Sequence, residues 1–261
     1  MKKYAALASI TIIMLLQGCR GEEAKSPVIK EPPATPTTRP ASGAKVPLKS
    51  RKKRVPLKLD IPKEIWCALK SPFDKEPNVE EFSYKSLRES PVFMVPPGTV
   101  NLAAGRSLSS NESLPVIGEL DMVTDGEKSG EDGNCVNIGC DLKWIQIDLE
   151  QSAPIYAIVV WHNWRVGQFY TAYRDVIVQV SSDPEFQRDV KTVFNNDHDN
   201  SSGLGRGRDQ GYYATRYGKI IYARRVPGRY VRLYSNGNTS NDQNHYVEVA
   251  VYGPGQVKAS R

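Results

Sequence analysis

This sequence predicts an all-β fold, an antiparallel jelly-roll β-sandwich preceded by a signal segment and an unstructured tether. Three observations carry that expectation. Apolar and polar residues alternate in Trp144-Ile145-Gln146-Ile147-Asp148-Leu149, the period of a strand buried on one face. Ile155 to Trp161 is an almost unbroken β-branched and aromatic run, as a central strand requires. From Asn101 onward the apolar segments are separated by Gly-, Asn-, Asp- and Ser-rich turns, and only one short helical turn fits, near Val116 to Met122.

The remaining strands follow in order: Val176 to Val180, Val190 to Phe194, Ile220 to Ala223, Tyr230 to Tyr234 and Tyr246 to Tyr252. Seven or more short strands without helical periodicity form a sandwich of about 150 residues, here placed at residues 101–254. Residues 59–100 carry six prolines (Pro62, Pro72, Pro77, Pro91, Pro96 and Pro97) that deny a long helix. They read as an irregular lead-in arm, with Trp66, Phe73, Phe82 and Phe93 able to pack across the sandwich.

Charge divides the chain of 261 residues more sharply than its net +6 suggests. Residues 20–58 hold 11 Lys/Arg against 3 Asp/Glu, whereas residues 59–261 hold 22 against 26. The folded part is therefore mildly acidic. Positive charge that lies off the fold argues against a nucleic-acid-binding domain. No apolar run reaches the roughly 18–20 residues that span a bilayer.

Lys2 and Lys3 precede an apolar stretch of 12 residues, Ala5 to Leu16, of signal-peptide length. It ends in Leu16-Gln17-Gly18-Cys19, which resembles the lipobox of bacterial lipoproteins. That resemblance implies cleavage of residues 1–18, acylation of Cys19 and a membrane anchor, with a plain signal peptide as the alternative. Arg20 stands where an Asp would signal inner-membrane retention, which points to the outer membrane. Residues 19–58, with seven prolines among Lys, Thr, Ser and Ala, read as an extended tether. Its closing run, Lys49 to Arg54, is either attracted to anionic headgroups and cell-wall polymers or is a solvated linker.

Several ordered motifs go further: Asn101-Leu102-Ala103, Val123-Thr124-Asp125-Gly126, WIQIDLE, IYAIVVWHNW, Phe194 to Gly203, and Arg229 to Gly253. Together they resemble the discoidin, or coagulation-factor C-type, domains of the galactose-binding-like superfamily over about 155 residues. The resemblance implies an eight-stranded jelly roll that binds carbohydrate, phospholipid headgroups or proteins through loops at one end. It also implies a structural calcium held by Asp125 and Glu248. The alternative is an Asp125 that closes its own turn by hydrogen bonds, because the Thr that the family places downstream is replaced here by Ser129, Glu131 and Asp132.

Sugar recognition needs aromatic faces for stacking and polar groups for hydroxyls. One loop supplies Trp164, Arg165 and Tyr170; a second His198, Asp199 and Asn200; a third Asn241, Asn244 and His245; and Arg206 follows in a glycine-rich run. That run lacks the strand-to-helix context of a nucleotide loop. Trp144 and Trp161 lie inside strand patterns and read as core, leaving Trp164 as the stacking platform. The Asn/Asp-rich loops equally well hold long turns internally. His162, His198 and His245 lack the short spacing of common zinc motifs.

Cys135 and Cys140 bracket four residues read as a turn, for which export favours a disulfide over two thiols and leaves Cys67 unpaired. No nucleophile elbow, HExxH or triad is present, so binding is expected rather than catalysis. The expected function is a lipid-anchored envelope module that recognises carbohydrate. A structural or adhesion protein with a protein partner, and a hydrolase with an unrecognised site, are the rivals.

Overall fold

The computed structural model describes residues 53–63, 79, 91–131, 133–165 and 170–255. The signal segment, Cys19, most of the tether and Cys67 lie outside these residues. All described residues belong to one compact unit, Ser50–Arg261.

Among the described residues ten strands are formed: β1 (Val55–Pro56), β2 (Met94–Val95), β3 (Thr99–Asn101), β4 (Leu108–Ser110), β5 (Val136–Cys140), β6 (Leu142–His162), β7 (Ile177–Ser181), β8 (Lys191–Asn195), β9 (Lys219–Asn236) and β10 (Gln243–Pro254). A 3-10 helix, Leu120–Thr124, is the one helical turn among them and overlaps the expected position. Eight strands hydrogen-bond in one antiparallel network along β3-β10-β6-β9-β7-β8, with β4 on β6 and β5 on β10. The antiparallel β-sandwich expected from the sequence is what the chain forms.

Two pairs of expected strands prove to be single long ones. WIQIDLE and IYAIVVW are both β6, and Ile220–Ala223 and Tyr230–Tyr234 are both β9. Each long strand bends once. Between the pairs Asp148↔Tyr230 and Ala153↔Gly228, β6 carries four residues against one on β9, and Glu150 there takes φ 64°. The bend lets each strand serve both layers of the sandwich. Ile145 and Ile147 from one half of β6 and Ile158 and Val160 from the other therefore meet in one core, with Val178, Leu233 and Val249.

A second apolar cluster lies on the outer face of the β6–β10 layer. Ala157, Val159, Trp161 and Ala250 are covered there by Phe93 and Val95, with Val55, Leu57 and Leu59 against them. Of the arm residues expected to pack on the sandwich, Phe93 does so, while Trp66, Phe73 and Phe82 lie outside the described residues. Val55, before residue 59, joins this cover by pairing with Val95 in the β1–β2 ribbon. Gly218 is required beneath this layer. Its φ is +69°, and a Cβ there would stand 2.8 Å from the Trp161 ring.

The tryptophans and cysteines correct two expectations. Trp161 is fully buried, as expected. Trp144 is only half-buried, because the alternation that sends Ile145 and Ile147 inward sends Trp144 to the other face of the strand. There Arg232 lies over its ring at 4.3 Å and over Phe186 at 4.2 Å. Cys135 is buried and Cys140 exposed, and the two do not form the expected disulfide with each other. The residues between them are strand β5. An extended rise of about 3.3 Å per residue carries the two Cα atoms well beyond the roughly 7 Å that a disulfide bridges.

Candidate functional site

The loop ends of β6, β7, β8 and β9 meet around a cleft of about 490 Å³. Its floor is Ala172, Tyr173 and Gly211, and its polar mouth is Arg174, Asp175, His198, Asp199, Ser201 and Asn236. The segment that enters β7 sets one wall. Asp175 holds φ 48°, and its Oδ2 accepts hydrogen bonds from Ser201 Oγ (2.7 Å) and Asn236 Nδ2 (2.8 Å). Arg174 is fixed at both levels. Its backbone N–H donates to Gly237 O, its carbonyl accepts from Asn236 N–H, and its guanidinium meets Asp242 at 2.7 Å.

The opposite wall is the loop after β8, organised about one buried carboxylate. Asp197 is fully buried and accepts from the backbone N–H groups of Asn200, Ser201 and Ser202 and from the Ser202 hydroxyl. Burial alone would raise its pKa, but these hydrogen bonds outweigh it and hold the carboxyl below the usual aspartate value. Asn195 closes the base of the loop, its side chain accepting from Asp197 N–H and donating to Gly205 O. The loop so braced presents His198, whose Nε2 bonds Asp209 O at 3.0 Å, and Asp199. The carboxylates of Asp175, Asp197 and Asp199 all lie within 4.8 Å of one another.

Of the ten candidate ligand residues, His198 and Asp199 line the cleft. Asn200 is exposed beside it, but its Oδ1 accepts from Gly205 N–H and so ties the loop. Arg206 is exposed away from the cleft lining.

The other candidates are drawn into structure. Trp164, expected as the stacking platform, is only 3% exposed and joins the main core, donating its indole N–H to Lys128 O. Arg165 lies 5.8 Å over that ring and 3.5 Å from Glu131. Tyr170 is buried with Ala172 and Tyr213. Asn244 is wholly buried; its amide donates to Gly139 O and Asp141 O and accepts from Gly237 N–H. Asn241 Oδ1 accepts from Asn238, also within the turn. For this third loop the turn-holding alternative is the observed one.

His245 is buried against Tyr173, whose hydroxyl lies 3.3 Å from its Nδ1. His162 stacks on the same Tyr173 ring at 4.0 Å and bonds His245 O through Nδ1. Desolvation pulls both imidazoles down to about 4, so both are neutral at physiological pH. Arg174 and Asp175 were not singled out from the sequence, whereas Asn236 opens the third polar loop and counts among its amides. The one local signal was the Arg-Asp pair just before a strand, which reads as ordinary turn chemistry.

The residues suggested for calcium divide in the same way. Glu248 is wholly buried in β10, where a one-residue bulge at Val247 breaks the pairing with β6. Its Oε2 accepts from Gly126 N–H at 3.1 Å, while Oε1 has no hydrogen-bond partner among the described residues. Burial pushes this carboxyl up to about 8, against smaller opposing effects of the Gly126 bond and of Lys128. A buried carboxyl oxygen without a donor, beside the turn that holds Gly126, fits a hard cation. Asp125 is exposed and spends Oδ1 on Glu127 N–H at 2.7 Å, and so closes its own turn.

No protein-family model and no curated protein matches the chain. Solved structures resemble it at low identity. The chitosan-binding module 1 derived from the chitosanase/glucanase of Paenibacillus sp. IK-5 is 20% identical over 59% of this chain and 99% of that one, with a TM-score of 0.42. A fucose-binding module of Streptococcus pneumoniae is 14% identical over 60% of this chain and 99% of that one, also with a TM-score of 0.42. A family 89 glycoside hydrolase from Clostridium perfringens is 16% identical over 60% of this chain and 15% of that one, at 0.43.

Proposed function

We propose that this chain is a saccharide-binding module held at a bacterial cell envelope. The observation that supports this is the loop cleft, where a guanidinium, an imidazole, two carboxylates, an amide and a hydroxyl surround one mouth over a floor formed partly by Tyr173 and Ala172. Such a mixture of fixed donors and acceptors matches neighbouring sugar hydroxyls, which need both at once. Tyr173 is 1% exposed, so recognition here proceeds by hydrogen bonding rather than by stacking on its ring. Asp175 and Asp199 line the same mouth as a guanidinium already engaged by Asp242, which favours neutral or amino sugars over acidic ones. A cation at Glu248 would brace the module without touching the sugar.

On a glycan array, the full-length chain is expected to show saturable binding that falls at least tenfold in His198→Ala and Asp199→Ala. Each change removes hydrogen bonds worth about 1.5 kcal/mol or more when a charged group takes part. Binding unchanged in both variants would show that the cleft is not where the sugar sits. Absence of any glycan ligand, with an envelope protein co-purifying instead, would favour the adhesion reading.

The anchor is proposed at Cys19, in the outer membrane. Wild-type protein expressed in a bacterium is expected in the membrane fraction with incorporated labelled fatty acid. Cys19→Ser should lose both properties, and label retained in that variant would rule out this anchor.

A further inference from the structure

A second cleft, of about 330 Å³, opens where the arm crosses the outer sheet face, remote in sequence from the loop cleft and sharing none of its lining residues. Arg54, Phe93, Tyr156, Tyr222, Arg224 and Arg225 contribute to its lining, and none of the lining residues is acidic. Tyr222 is 61% exposed although it lies in a central strand, and its ring is held edge-on by Phe93 at 4.6 Å. Arg225 lies over the Tyr156 ring at 5.4 Å. Among the described residues no carboxylate forms an ion pair with Arg54, Arg224 or Arg225.

The backbone presents these arginines at a cost. Between the pairs Ala157↔Tyr222 and Ile155↔Val226, β9 carries three residues against one on β6, and Arg224 and Arg225 take φ of 49° and 67°. Two consecutive non-glycine residues in the left-handed region are strained, and such outliers gather at ligand sites. The core does not demand these side chains, since both are exposed. Arg54 extends the positive edge, because it closes the basic run from Lys49 and enters β1. Tyr222 and Arg224 also line a second groove of about 760 Å³, with Lys219 and one acidic residue, Asp209. The two hollows share these two residues, a layout suited to a chain of sugar units rather than one.

We propose that this aromatic–arginine cleft is a second saccharide site, specific for a carboxylate-bearing polysaccharide. Tyr222 supplies the face on which a pyranose ring stacks, and Arg224 and Arg225 supply planar donors for the uronate carboxylates. Its charge preference is opposite to that of the loop cleft, so the two sites take different sugars.

The test uses the full-length chain with tetragalacturonate, a neutral galactose tetramer, and phosphatidylglycerol vesicles as separate probes. Tetragalacturonate is expected to bind at least tenfold more tightly than the neutral tetramer, with affinity falling as salt rises. Tyr222→Ala and the double variant Arg224→Asn/Arg225→Asn should each weaken it at least tenfold. The melting temperature of the double variant should be unchanged or higher, since Asn tolerates left-handed φ. His198→Ala should leave tetragalacturonate binding intact while weakening binding at the loop cleft at least tenfold. The proposal is overturned if tetragalacturonate fails to bind, if it binds all variants equally, if its binding is lost in His198→Ala, or if only the vesicles depend on these arginines.

Discussion

Raising the pH from 5 to 9 in chelator is expected to cost the wild-type chain on the order of 4 kcal/mol more than it costs Glu248→Gln. The buried carboxyl titrates at about 8 in the fold, against 4.5 for an unperturbed glutamate. A group whose folded pKa is raised contributes stability that is fully present below pH 4.5 and is lost as pH rises through 8. Glutamine keeps the shape and has no proton to lose. His162 and His245 slope the other way. Each sits at about 4 in the fold against 6.5, so their contribution is complete above pH 6.5 and falls away toward pH 4. Between pH 4.5 and 6.5 the two trends oppose each other in the wild type. Glu248→Gln should therefore show a steeper acid-side loss, with no alkaline loss from this position. Calcium added at pH 8, where the carboxyl is half protonated, should raise the melting temperature of the wild type alone and release about half a proton per ion bound. Parallel pH profiles for the two proteins, with no calcium effect, would show that Glu248 is neither desolvated nor a cation ligand.

Trp164→Ala is expected to destabilise the protein by about 3–5 kcal/mol, the range for removing a buried aromatic side chain. The ring is almost wholly covered, and its Nε1 would lie 3.1 Å from a Cβ placed on Gly130, so the chain around it is closely fitted. Any loss of sugar binding in this variant should follow the loss of folded protein in denaturant titrations. His198→Ala is expected to do the reverse, weakening binding while shifting the unfolding midpoint by no more than a surface change does, about 0.5 kcal/mol. A Trp164→Ala protein of full stability that had lost its ligand would restore Trp164 as a contact residue.

These contrasts follow from how differently the sequence encodes core and cleft. The strands were legible because alternation is local: Ile145, Ile147 and Leu149 mark one face of β6 wherever the strand ends up. The same rule, applied strictly, places Trp144 on the opposite face, where it is found. The union of paired strands into β6 and β9 was not legible, since the bends at Glu150 and at Arg224-Arg225 depend on left-handed backbone that the residue types do not announce. In the site, His198 and Asp199 were visible as chemistry within a loop. Arg174, Asp175 and Asn236 became site residues because β7 pairs with β9 and sets Ile177 against Tyr234, bringing residues 61 positions apart into hydrogen-bond contact.

The sequence by itself determined the all-β class, the order of most strands and a mildly acidic fold behind a basic segment, because periodicity and charge are properties of neighbours along the chain. Tertiary structure alone decided which polar loop residues open onto a cleft and which are consumed inside. Asn244 and His245 read like ligand groups but are buried within β10, the strand that also carries Glu248, under Gly139, Asp141 and Tyr173. A side chain's availability depends on what long-range pairing folds over it, and residue spacing carries no record of that.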